Sequence, residues 1–141
     1  MTLSMPPKLR SAIHTHCRAE YPHECCGALI GTLSGDLKTV VRTERLENAE
    51  PNSPERRFVI DPAQLLAVER AARQEGLDVI GFYHSHPDAP ARPSPTDLEW
   101  AWPVYSYLIV SVTGGDIADT RSYVLAEGGA AAGFAEEEIS T

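Results

Sequence analysis

Cysteines, basic residues and long apolar runs are all scarce in this sequence. The chain has three cysteines, Cys17, Cys25 and Cys26, and an odd number with two adjacent members is not the pattern of a disulfide framework. The N-terminal residues (MTLSMPPKLR) contain no apolar signal core, and no apolar run approaches the length of a membrane-spanning helix. We therefore expect a protein of the reducing cytoplasm that has no membrane partner.

Positive charge is also in short supply. The 141 residues include 12 lysines and arginines against 20 aspartates and glutamates, which gives a formal net charge of −8. Proteins that bind nucleic acids usually present a basic face to the phosphates, so this balance disfavours a nucleic-acid partner. The H-x-E and P-C-x-x-C patterns of zinc-dependent deaminases are absent too, which argues against that class of enzyme.

What the sequence does contain is an ordinary composition for one folded domain. Apolar residues make up 43% and charged residues 23% of the chain, and its length matches the commonest domain size. We expect a single domain over residues 1–141, with a core at about 5–125 and a flexible tail at 126–141. Within that tail, the stretch FAEEEI is an alternative candidate for an edge strand.

The apolar pattern predicts strands interleaved with helices, which is typical of an α/β layered domain. In the first predicted helix an apolar residue recurs every fourth position, and Asp61-Pro62 supplies the start signal of the second helix. The predicted helices cover 7–21 and 62–76, with a third that starts at Ser94, and the predicted strands cover 25–32, 38–46, 58–60, 78–83, 105–112 and 120–125.

Two histidines with a single residue between them follow the strand predicted at 78–83. Side chains at i and i+2 of a strand point to the same face, so His84 and His86 can converge on one ion. In a helix the same spacing separates the side chains by more than half a turn. That geometry makes His14 and His16, in the first predicted helix, poor chelators.

A carboxylate completes the ligand set that a catalytic zinc ion uses. Asp97 follows His86 by eleven residues, beyond a proline-rich loop that is long enough to fold back. Two imidazoles, one carboxylate and an open fourth position describe such a site, and zinc held there lowers the pKa of water to about 7. Glu24, just before an apolar strand, is the candidate acid/base for that water.

Simpler interpretations of these residues stay open on the patterns alone. The spacing H-x-H is a weak motif, and Ser94 with Asp97 fits a helix capping box. Glu24 fits a solvated surface charge. Cys25 and Cys26 are candidate ligands as well, but neighbouring residues of a strand face opposite ways, which favours small core residues at both positions.

Taken in order, five positions resemble a known signature. They are Glu24, the two histidines of His84-Ser85-His86-Pro87, and Ser94 and Asp97 of the pattern S-x-x-D. Seven residues lie between His86 and Ser94. This order and spacing are similar to the JAMM motif of the Mov34/MPN/PAD-1 metallopeptidases. The segments HECCGALIG, FVIDP and GFYHSHP also resemble the short bacterial members, and the resemblance covers roughly residues 5–125.

The resemblance implies a fold, a cofactor and a role for each residue. The fold is a layered α-β-α MPN domain, similar to that of cytidine deaminases, with a mixed, mostly antiparallel sheet. The cofactor is Zn²⁺, which the resemblance assigns to His84, His86 and Asp97. Glu24 is then the acid/base, and the hydroxyl of Ser94 stabilises the developing oxyanion.

The resemblance also implies a substrate class. Family members cleave amide bonds, and the short bacterial members are linked to small ubiquitin-fold sulfur-carrier proteins that have a glycine tail. We therefore expect a hydrolase of peptide or isopeptide bonds at the Gly-Gly tail of a ubiquitin-like or sulfur-carrier protein, and a homodimer is a further expectation. The alternative is a non-catalytic MPN scaffold that binds partner proteins. Such members usually lack part of the ligand set, whereas this sequence has all of it.

Overall fold

Helices and strands alternate along the chain. The computed structural model describes residues 1–50, 59–99, 101–126, 128–129 and 132–141. The helices in these residues are α1 (Pro7–Glu20), α2 (Pro62–Gln74) and α3 (Pro95–Glu99). The strands are β1 (Thr2–Ser4), β2 (Cys26–Ser34), β3 (Leu37–Leu46), β4 (Asp78–Pro87), β5 (Ser106–Thr113), β6 (Asp116–Leu125) and β7 (Phe134–Ser140).

The strands form one mixed sheet that closes on itself in the order β1-β3-β2-β4-β5-β6-β7. Among the described strands, the pairs β2–β3, β2–β4, β5–β6 and β6–β7 are antiparallel. The pairs β1–β3, β1–β7 and β4–β5 are parallel. The predicted α/β content and mixed sheet are therefore confirmed, and the closure of the sheet into a barrel is an addition to the prediction.

Helices α1 and α2 pack on side chains that alternate along β2. Leu29 is fully buried in a cluster with Ile13 of α1, and its neighbour Ala28 is fully buried in a cluster with Val68 of α2. Successive side chains of a strand point to opposite faces, so the two helices cover opposite faces of the sheet at β2. Burial of an aliphatic side chain of the size of Leu29 stabilises a fold by about 1.5–3 kcal/mol.

The ends of α2 follow from its sequence. The carboxylate of Asp61 accepts a hydrogen bond from the Ala63 amide (3.1 Å), and Pro62 occupies the first turn, where its missing N–H costs nothing. The helix ends at Gln74, shortly before Gly76, whose φ of +73° is a conformation that glycine adopts without strain. None of the described helices combines the length and the apolar character needed to cross a membrane.

The brief strand predicted at 58–60 is wrong for residues 59 and 60, and residue 58 lies outside the described part of the chain. The backbone of Val59 is instead hydrogen-bonded to the first residues of the preceding loop. Its N–H donates to Asn48 Oδ1 (3.1 Å), and its carbonyl accepts from the Ala49 amide (2.8 Å). A polar side chain thus supplies a hydrogen bond that a neighbouring strand would otherwise provide.

Residues 134–140 correct the expectation of a flexible tail. They form β7, which confirms the alternative prediction of a strand at FAEEEI, but β7 pairs with β6 on one side and with β1 on the other and is therefore not an edge strand. The ring of Phe134 packs edge-on against Tyr107 and Tyr123, with ring centroids 5.8 and 6.3 Å apart. This packing gives the last strand an apolar anchor on the closed sheet.

Candidate metal centre

The two histidines lie inside β4, not beyond its end as the sequence predicts. β4 continues to Pro87, and His84 pairs with Cys26 of β2 on one side and Ile109 of β5 on the other. With ladder partners on both sides, the backbone is fixed and the imidazoles face the same way. The Nε2 atoms of His84 and His86 lie 3.1 Å apart, and the two residues are 1% and 9% exposed.

Helix α3 brings Asp97 to the same place. Its Oδ1 lies 3.3 Å from His84 Nε2, and its Oδ2 lies 3.2 Å from His86 Nε2. Ser94 holds this carboxylate in a reciprocal cap, because the Asp97 amide donates to Ser94 Oγ (3.1 Å) and the Ser94 amide donates to Asp97 Oδ2 (2.8 Å). The capping interpretation of Ser94 and Asp97 therefore describes the contact that aims the Asp97 carboxylate at the histidines.

Glu24 faces the histidine pair from a position two residues before the start of β2. It is 5% exposed, and ligand atoms of Glu24, His84 and His86 all lie within 4.8 Å of one another. The solvated-charge interpretation of Glu24 is thereby excluded. The structure brings Glu24, His84, His86 and Asp97 together in one buried group, and Ser94 joins that group through its cap on Asp97.

The donor set fits a divalent metal ion. His86 Nδ1 lies 2.9 Å from the Pro90 carbonyl, which can only accept, so Nδ1 carries a proton and, in the neutral ring, Nε2 keeps its lone pair. That lone pair, the Nε2 of His84 and the two oxygens of Asp97 converge within 3.3 Å. Such acceptors repel one another unless a cation or a proton lies among them. Two imidazoles and one carboxylate are the protein ligands of a hydrolytic zinc site.

A comparison with known protein families shows to which family this chain belongs. Residues 6–126 match the family described as prokaryotic homologs of the JAB domain. The chain belongs to this family. The match covers most of the chain, including the five positions of the signature and every strand from β2 to β6.

Curated relatives of this JAB protein include a desampylase, a probable conjugate-cleaving protease and a peptidase. It is 38% identical over 119 residues to a desampylase from Haloferax volcanii, which covers 79% of this chain and 82% of the relative. It is 35% identical to the "Probable TtuB-protein conjugate cleaving protease" of Thermus thermophilus, over 91% of this chain and 79% of the relative. It is 34% identical to the CysO-cysteine peptidase of Mycobacterium tuberculosis, over 85% and 80%.

Solved structures of similar proteins have the same fold as this JAB protein. A protein of Desulfitobacterium hafniense superposes with a TM-score of 0.81 at 34% identity, covering 99% of this chain and 91% of that chain. A JAB1/MPN-domain protein from Archaeoglobus fulgidus superposes with a TM-score of 0.57 at 22% identity, and the two chains are covered completely. The second likeness shows the fold alone.

Burial and close charges set the protonation of the site. Burial raises the pKa of Glu24 to about 7, the nearby His86 opposes this rise, and the charge of Asp97 adds to it. For Asp97, burial favours the neutral acid, but hydrogen bonds from His84 and His86 outweigh burial and hold its pKa far below the usual range. Burial likewise opposes the charge on His86, while its bonds to Asp97 and to the Pro90 carbonyl raise its pKa overall.

The raised pKa of Glu24 predicts a pH-dependent effect of the Glu24→Gln exchange on stability. In metal-free JAB protein the folded state binds one proton more than the unfolded state between pH 4.5 and about 7, so the ionisation of Glu24 lowers stability as the pH rises through this window. Glutamine carries no such charge. The variant is expected to equal the wild type below pH 4.5 and to gain about 2–3 kcal/mol above pH 7.

Urea unfolding in the presence of a chelator at several pH values measures this difference. A gain that is constant from acid to neutral pH would mean that the carboxylate of Glu24 is not desolvated in the folded protein.

Two groups that hold the site have no signature in the sequence. The Pro90 carbonyl orients His86 (2.9 Å), and Asn48 Nδ2 donates to the Glu24 carbonyl (2.9 Å). A backbone carbonyl exists at every residue, and an asparagine at a loop entrance is common, so neither is recognisable before the fold is known.

The remaining histidines are not members of the proposed ligand set, although His16 and His23 border a cavity that Glu24 also lines. His14 Nε2 bonds to Thr120 Oγ1 (2.8 Å), His16 Nδ1 bonds to the Tyr83 hydroxyl (2.6 Å), and His23 is exposed. The first two therefore support the packing of α1 against the sheet.

Proposed function

We propose that this chain is a zinc-dependent peptidase that hydrolyses the peptide or isopeptide bond at the Gly-Gly tail of a ubiquitin-like or sulfur-carrier protein. One observation carries the proposal. His84 Nε2, His86 Nε2 and the Asp97 carboxylate lie within 3.3 Å of one another beside a buried Glu24. With neutral histidines, the two Nε2 lone pairs and the carboxylate face one another, and a divalent cation among them satisfies all three groups at once.

The proposed roles follow from the chemistry of each group. His84, His86 and Asp97 would hold the zinc ion, which supplies a water of lowered pKa and a Lewis acid for the scissile carbonyl when bound. Glu24, with a pKa of about 7, can accept a proton from water at neutral pH and release it to the leaving nitrogen.

Ser94 is proposed to have two roles at once. Its Oγ accepts the Asp97 amide, which leaves its own O–H free to donate to an oxyanion. Ser94→Ala is expected to lower kcat by about 10²–10³-fold, since one lost oxyanion donor costs that much. Ser94→Thr keeps both the hydroxyl and the cap and is expected to recover most of the activity. Steady-state kinetics, measured together with the zinc content, distinguishes the oxyanion donor from the cap on Asp97. If kcat falls only in proportion to the zinc that is lost, Ser94 acts as the cap alone.

The names of the relatives support the substrate class. One relative is named as a probable protease that cleaves TtuB-protein conjugates, and another is named as a peptidase of CysO-cysteine. Glycine residues suit a narrow site, since a chain without side chains can lie close to another backbone. We therefore place the scissile bond after the second glycine of the carrier tail.

A cleavage assay tests the function. The zinc-loaded protein is mixed with a small ubiquitin-fold carrier whose Gly-Gly end is fused to a reporter peptide. The masses of the products are then measured by mass spectrometry. We expect cleavage directly after the second glycine and none in a matched fusion that ends in Ala-Ala. An intact Gly-Gly fusion, with about one zinc bound per chain as in a hydrolytic site, would contradict the proposal.

Three further features belong to the same proposal. The packing of α1 and α2 on alternate residues of β2 supports a layered α-β-α arrangement of one domain over residues 1–141. We also propose that the protein is cytoplasmic and that it forms a homodimer.

A further inference from the structure

Two cysteine thiols lie side by side behind the candidate metal centre. Cys17 in α1 and Cys25, next to β2, are both free thiols with 0% and 2% exposure, and their sulfur atoms are 3.5 Å apart. A disulfide has a sulfur separation of about 2.05 Å, so the two sulfurs need to approach by only about 1.5 Å. Cys26 belongs to the cluster on the other face of the sheet and lies 3.9 Å from the Leu46 carbonyl.

The pair can be reached from a cavity. Cys25 and Glu24 both line a cavity of about 270 Å³, with His16 and the outer residues Glu20 and Glu47. One water molecule occupies about 30 Å³ in the liquid, so a reagent of the size of hydrogen peroxide fits this space. A larger oxidant, such as glutathione disulfide, does not reach a sulfur that is 2% exposed.

Within the pair, Cys25 is the sulfur placed to react first. It borders the cavity, whereas Cys17 is fully buried behind it. Hydrogen bonds with Cys17, and then with His16 and Ser85, also lower the pKa of Cys25 although burial opposes them. The thiolate is the nucleophile in reactions with peroxides.

We propose that Cys17 and Cys25 form an oxidisable dithiol, which a hydroperoxide converts into an intramolecular disulfide. The Cys25 thiolate attacks one peroxide oxygen, the O–O bond breaks, and the departing hydroxide takes a proton to form water. The resulting sulfenic acid is attacked by the Cys17 sulfur, and a second water leaves as the S–S bond forms. The two thiols lose two electrons and the peroxide gains them, and an added dithiol reverses the change by thiol–disulfide exchange.

Formation of the disulfide would displace residues of the candidate metal centre, because Cys25 is hydrogen-bonded to Ser85 of β4. The Cys25 amide donates to Ser85 Oγ (2.9 Å), and the Ser85 amide donates to the Cys25 carbonyl (3.1 Å). Ser85 lies between His84 and His86, and Cys25 follows Glu24 directly. Drawing Cys25 toward α1 therefore displaces Glu24 against the histidines. This consequence rests on the proposed function, whereas disulfide formation does not.

Thiol counting on the intact, zinc-loaded protein tests the dithiol. After treatment with hydrogen peroxide we expect a mass loss of about 2 Da and one alkylatable thiol instead of three. Trypsin cuts after Arg18 and so separates Cys17 from Cys25. The digest should then contain peptide 11–18 linked to peptide 19–38, and Cys26→Ala should leave this link unchanged. Three alkylatable thiols after treatment, or a link that is lost in Cys26→Ala, would overturn the proposal.

Activity on the carrier fusion is the second readout. A displacement of about 1 Å at a catalytic group can cost up to 10²-fold, so the oxidised protein is expected to lose roughly 10- to 100-fold in kcat/KM and to recover with dithiothreitol. Cys17→Ala cannot form the disulfide and is expected to lose this reversible response. Full activity of the linked protein would overturn the coupling to the site. Absence of peptidase activity from the reduced protein would count against the proposed function, while the thiol count still decides the dithiol.

Discussion

Exchanging Glu24 for glutamine is expected to lower kcat/KM for cleavage of the carrier fusion by about 10³-fold, within the range that a positioned acid/base contributes. Glutamine has nearly the same shape as glutamate but cannot take a proton. In the metal-free site, burial of Glu24 raises its pKa to about 7, so this carboxyl group can both take up and release a proton near neutral pH. The variant should keep its zinc, because Glu24 is proposed as an acid/base and not as a ligand.

The matched control is Glu138→Gln, an exposed carboxylate in β7, which should leave both activity and zinc content unchanged. Kinetics are compared at equal zinc occupancy. Activity in Glu24→Gln within a few-fold of the wild type would remove the proposed proton transfer. Loss of zinc from this variant would instead make Glu24 a ligand, which its distance to the histidines allows.

Exchanging Asp97 for asparagine is expected to weaken zinc binding by more than about 10²-fold, since loss of an outer-shell partner alone costs 10–100-fold. The exchange removes the one negative charge among the three proposed ligands. The amide oxygen can still accept the Ser94 amide, so α3 should keep its cap. His84→Ala removes one imidazole from inside β4 and is expected to have an effect at least as large.

Zinc-dependent thermal stability measures this effect. A ligand present at 1,000 times its Kd stabilises a protein by about 4 kcal/mol, which raises the Tm of a domain of this size by roughly 10 °C. We expect that shift in the wild type and in His23→Ala, which removes an exposed histidine, and about one third of it or less in Asp97→Asn. An equal shift in Asp97→Asn would place the metal elsewhere.

The local patterns of this sequence predict much of the fold and of the candidate site. The start of α2 is set by Asp61-Pro62, whose cap needs only contacts within three residues. The convergence of His84 and His86 follows from the two-residue period of a strand, and the aim of Asp97 follows from its cap with Ser94. Each of these features depends on neighbours that are close in the sequence.

The features that could not be predicted depend on contacts between distant residues. β1 is three residues long and carries no period of its own, and it becomes a strand only because β3 and β7 lie beside it. The predicted strand is wrong at residues 59 and 60 because Asn48 Oδ1 accepts the hydrogen bond of the Val59 amide. The contact between the Cys17 and Cys25 sulfur atoms likewise requires α1 to pack back against β2, and no sequence spacing predicts it.

The most direct test of the central claim is the anomalous scattering of zinc in a crystal of the zinc-loaded protein. We predict one strong peak bonded to His84 Nε2, His86 Nε2 and an oxygen of Asp97, at the usual zinc distances of about 2.0–2.2 Å, with the Glu24 carboxylate nearby but not bonded. A peak at any other group of residues, or no peak among these three side chains in a zinc-saturated crystal, would contradict the account.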